Sequence, residues 1–203
     1  MTEQVGAGRD RIGGGALIAA ALGTVLAMSH HPSGMHGGGL GGIVHGAMIA
    51  LLGVLSFGFL RFAQQRGFER PLILAGAIAY LAAFLAHVGA ATINGFIVPA
   101  LTGGEPPVSH DLFRFAWHSN QALAKLGVVA TGLAYLGWGL DLAGNARMRW
   151  IGLAGVVAGI VPAALLAAGA ITMNVTGAFI AYAAHALWAV LLGAAMWRGM
   201  ARD

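Results

Sequence analysis

The feature that most restricts what this chain can become is a series of apolar runs about 20 residues long, joined by short connectors. A run of that length crosses the hydrocarbon of a bilayer as a helix, because only a helix satisfies every backbone polar group within its own segment. Six such runs can be drawn: Gly13–Met28, Gly42–Phe62, Pro71–Pro99, Phe113–Leu140, Trp150–Thr172 and Thr176–Trp197. Only 9% of the 203 residues are charged, against roughly 25% in soluble domains, so no water-soluble domain remains beside the spans. The expected fold is an all-α integral membrane protein, a single six-transmembrane-helix bundle over residues 1–203.

Arginine placement orients the bundle. Arg9 and Arg11 precede the first span, and Arg61, Arg66 and Arg70 lie at or between the second and third. Arg147 and Arg149 separate the fourth from the fifth, and Arg198 and Arg202 follow the sixth. The other three connectors carry no lysine or arginine. Under the positive-inside rule both termini are then cytoplasmic, in a bacterial-type inner membrane. The high isoelectric point, near 10.4, reflects these scattered arginines and implies no nucleic-acid partner. The first run lacks a small-residue cleavage site and reads as a membrane helix. With no cysteine, disulfides, thiolate ligands and iron–sulfur clusters are excluded.

All eight histidines fall in the outer half that this topology defines. Ser29–Ile49 holds His30, His31, His36 and His45 beside Met35 in a glycine-rich connector and the start of the second span. His87, His118 and His185 lie on the third, fourth and sixth spans, with His185 ~15 Å below the outer surface. His110 sits in an outer connector. Polar side chains inside a bilayer are costly and tend to mark sites. The sequence therefore predicts a metal or haem centre with His45, His87, His118 and His185 as helix ligands. His31 and His36 are expected to close it from the connector.

On the fourth span Arg114, His118, Gln121 and Lys125 are spaced by four, three and four residues and form one stripe. Lys125 and Arg114 are expected to offer positive charge to an anionic substrate, cofactor or intermediate. Asn94, Gln121 and Tyr182 are expected to contact the bound group. Internal repetition is also suggested. His45-GAMIALL-Gly53 matches His185-ALWAVLL-Gly193, with a looser form at His118-SNQALAKL-Gly127, as in folds built from repeated helical hairpins.

All-nitrogen ligation without carboxylates suits copper, haem iron or zinc and disfavours hard cations. Copper is favoured by the outward exposure and by Met28, Met35 and Met48, with zinc ranked below copper and haem. The layout, a small histidine-bearing helix bundle, is similar in plan to the membrane b-type cytochromes. That similarity implies a single outer haem, since the inner half lacks histidines for a second. The reading is a membrane redox protein acting on a lipid-soluble or periplasmic small molecule or electron donor. A metal-ion or proton-coupled transporter or sensor, a non-catalytic subunit of a membrane complex and a homo-oligomer are further expectations from the same residues.

Overall fold

A computed structural model describes residues 2–31, 40–103 and 108–201, and among them there are helices and no strands. The helices are α1 (Thr2–Ser29), α2 (Leu40–Arg66), α3 (Pro71–Thr92), α4 (Val98–Thr102), α5 (His110–Ala143), α6 (Arg149–Ala167) and α7 (Val175–Trp197). A π-helical turn, Ile93–Ile97, joins α3 to α4 without a break. Taken as one segment, Pro71–Thr102 forms the third of six stretches long and apolar enough to cross a membrane. The protein is thus compatible with a multi-pass membrane bundle, as the apolar runs require.

Each span packs against its neighbours in chain order, α1 on α2, α2 on α3, α3 on α5, α5 on α6 and α6 on α7, and α7 closes the circle against α1. Glycine permits the tightest of these contacts. A Cβ at Gly139 on α5 would lie 2.7 Å from the Gly152 carbonyl oxygen and 2.8 Å from the Val156 nitrogen of α6. Gly132 meets Gly159 in the same way one stretch further along. Small residues at these crossings let backbones approach, which drives helix association in lipid where burial of apolar surface gains little.

The ring is filled differently at its two ends. At the end carrying both termini, Asp141 at the foot of α5 accepts from Arg66 at 2.7 Å and from Arg70 at 2.9 Å, fastening α5 to the α2–α3 connector. Gln65 donates to Asp10 beside it. Above this clamp lies an aromatic plug. Phe59 stacks on Trp138 with centroids 5.3 Å apart, and Tyr135 meets Trp188 at 4.2 Å. Phe59, Trp138 and Trp188 are almost completely buried. Both indoles are satisfied, Trp138 donating to the Ile73 carbonyl at 3.1 Å and Trp188 to the Ile151 carbonyl at 2.9 Å. The other half of the ring is hollow.

Two expectations are corrected here. The fifth span was expected to run to Thr172, but α6 ends at Ala167 and the chain turns through Gly169 at φ 69°, a left-handed conformation glycine adopts without strain. The three matched histidine strings also do not occupy like environments: His45 and His185 are buried, whereas His118 is exposed.

Candidate functional site

The hollow half is a cavity of about 870 Å³, within the roughly 300–1,000 Å³ of small-molecule and cofactor sites. Its described lining contains no carboxylate and is mainly apolar, with imidazole, phenol, hydroxyl and amide groups set into it at two levels.

The upper level is the mouth. His31 follows the end of α1, His45 lies one turn into α2, and Asn94 sits in the π-helical turn. The Nε2 atoms of His31 and His45 are 3.2 Å apart, and Asn94 Nδ2 is 3.1 Å from the same His45 nitrogen. His45 Nδ1 is 2.7 Å from the Gly41 carbonyl oxygen, to which it donates, so that Nε2 is left with its lone pair facing His31. Gly95, in the π-turn, lets the helix come this close, because a Cβ there would overlap the His45 side chain.

The lower level is built on α3, α5 and α7. His87 Nε2 lies 3.3 Å from Thr131 Oγ1, and its Nδ1 lies 3.4 Å from the Tyr182 hydroxyl. Both contacts are long for hydrogen bonds to a ring nitrogen. Gly127 makes room for the ring, since a Cβ there would overlap it. His185 packs edge-on against Tyr135 with centroids 5.2 Å apart, and its Nε2 is buried with no hydrogen-bond partner among the described residues. Tyr80, which accepts from Ser56 at 3.4 Å, and Phe59 form the floor above the plug.

Of the residues singled out in the sequence, His31, His45, His87, His185, Asn94, Gln121 and Tyr182 all line this one cavity. They do not converge on one ion. Among the described residues no three histidine, aspartate or glutamate side chains are close enough to share a metal. Distance along α3 explains this: Asn94, level with His45, is seven residues from His87, ~10 Å of helix. His36 lies outside the described residues.

His118, Arg114 and Lys125 are exposed and take no part in the lining. The inward face of α5 is instead Asn120, Ala124, Gly127, Thr131 and Tyr135, and two residues along a helix turn His118 by about 200° from Asn120. Gln121, on the border, donates to the Met173 carbonyl at 3.2 Å and ties α5 to the α6–α7 connector. The glycine register of α5 against α6 sets Lys125 level with Leu166, in the last turn of α6.

Sequence reasoning passed over Thr131, Asn120, Tyr80 and Tyr135. The signal was present: on α5, Asn120, Thr131 and Tyr135 alternate with alanine and glycine, the small residues of a packing face. The Arg114–Lys125 stripe instead borders Phe115, Leu126, Val129 and Leu133, all exposed. Comparison of the chain with protein-family models, with curated proteins and with solved structures finds no match.

Proposed function

We propose that this chain is an integral membrane redox protein that receives a lipid-soluble, hydrogen-bonding organic molecule of the quinone class in the outer half of a bacterial-type inner membrane. The observation that carries the reading is the single cavity of about 870 Å³ lined by His45, His87 and His185 and closed beneath by aromatic rings. Apolar walls suit a ligand partitioning from lipid. Thr131, Tyr182 and the imidazoles offer donors and acceptors to carbonyl or hydroxyl oxygens at the lower level. The plug speaks against a metal-ion or proton path through the bundle.

A b-type haem is the second reading, favoured by the buried Nε2 of His185, which has no hydrogen-bond partner among the described residues. His87 on α3 and His185 on α7 would supply its imidazole ligands. A bound haem would supply one-electron chemistry. Arg114 and Lys125, being outside the lining, are not offered as partners for its propionates.

Purified protein in mild detergent is expected to release a stoichiometric organic molecule on solvent extraction, identified by mass spectrometry. A Soret band in the same sample selects haem, and a colourless sample with an extractable quinone selects the first reading. Gly127→Ala places a methyl group on the His87 ring. It should cost about 1–3 kcal/mol of stability and at least halve the retained ligand; retention equal to the parent protein would remove the lower level from the site.

The cytoplasmic placement of the termini is part of the same proposal and rests on the arginines that flank the spans, of which Arg61, Arg66, Arg70, Arg147, Arg149 and Arg198 lie toward the end bearing the Asp141 clamp. Because the chain has no cysteine, single cysteines at Asn145 and Ser109 test it directly in intact cells. A membrane-impermeant thiol reagent should label the variant at position 109 and spare the one at 145.

A further inference from the structure

We propose that His31 and His45 form a copper(I) site at the cavity mouth, separate from the lower level and independent of the molecule that fills it. Two nitrogen ligands bound to one ion at 2.0–2.1 Å in tetrahedral geometry stand ~3.3 Å from each other. The two Nε2 atoms are 3.2 Å apart. The His45 ring is held as metal-bound imidazoles usually are, with the other ring nitrogen donating to a backbone carbonyl, here Gly41 at 2.7 Å. That bond fixes the tautomer in which Nε2 carries the lone pair.

The surroundings select the ion. The described cavity lining has no carboxylate for a hard cation, and it includes the thioethers of Met28 and Met48. Imidazole with thioether is the ligand chemistry of copper(I). Asn94, 3.1 Å from His45 Nε2, reaches the same point, and exchanging its amide nitrogen and oxygen would turn an acceptor toward the ion. Its placement depends on the π-helical turn, an irregularity that recurs at functional sites.

The test uses the full chain in detergent under anaerobic, reducing conditions, titrated with copper(I) against a chromogenic copper(I) chelator. One equivalent should be withdrawn from the chelator. His31→Ala and His45→Ala should each weaken binding more than about 100-fold, beyond the 10–100-fold typical of outer-shell changes, and Asn94→Ala should fall within that range. His30→Ala, on a neighbouring exposed histidine bonded to the Leu26 carbonyl, should leave binding unchanged. Absence of copper(I) binding by the parent protein overturns the proposal. So does binding that survives in both His31→Ala and His45→Ala, which would place the metal elsewhere. Should His45→Ala fail to fold, His31→Ala at the half-exposed end of α1 decides alone.

Discussion

Asp141→Ala is expected to destabilise the protein by about 3–5 kcal/mol, the usual cost of removing one partner from a buried ion pair. The aspartate side chain is 9% exposed and that of Arg66 only 2%. Its two oxygens serve two arginines, Arg66 through Nε at 2.9 Å and Nη2 at 2.7 Å, and Arg70 through Nη1. Without the carboxylate two guanidinium groups are left close together, and the foot of α5 loses its hold on the α2–α3 connector. Asp141→Asn, which keeps an acceptor but removes the charge, should fall between the two. Unfolding in mixed micelles measures the difference, and a loss below about 1 kcal/mol, the value of an exposed pair, would show the clamp to be ornamental.

Trp138→Ala is expected to cost about 3 kcal/mol, the low end for truncating a buried tryptophan. The low end applies because lipid withholds the water-exclusion gain and leaves mainly packing to be lost. The indole is 1% exposed and lies against Phe59, Phe62 and Tyr80, so its removal opens the floor of the cavity toward the clamp. Trp138→Phe should restore most of the stability and the closure. In proteoliposomes the alanine variant is expected to pass protons faster than the parent protein. Equal rates would mean that other side chains form the barrier.

Much of the architecture was legible before any coordinates. Span length and the lack of charge marked out the six long apolar helices, because lipid allows so few solutions. Helix length was less legible at α6, where hydropathy continues to Thr172 but Gly169 ends the helix first. At the site, identity was readable and facing was not. His45, His87 and His185 were expected together and do share one cavity, His87 and His185 on faces rich in alanine. His118 was expected with them on the strength of a polar stripe. Side chains on a stripe share a face, but polarity alone does not say which neighbour that face meets. The alanine and glycine pattern on the Asn120–Thr131 side of α5 was the better guide. The shallower depth of His45 followed from its place near the start of the second span, but the π-turn that sets Asn94 beside it did not.

The closed circle of spans has a consequence for biogenesis. The helices leave the ribosome in the order in which they touch, so each new span finds its predecessor already in the bilayer, and assembly proceeds through local pairings. The α1–α7 seam is the exception, joining the earliest span to the latest. Until that seam forms, the chamber has a missing wall on the lipid side, and any guest molecule is gained or lost sideways through the gap. Under the proposed function, loading would follow the arrival of the sixth span.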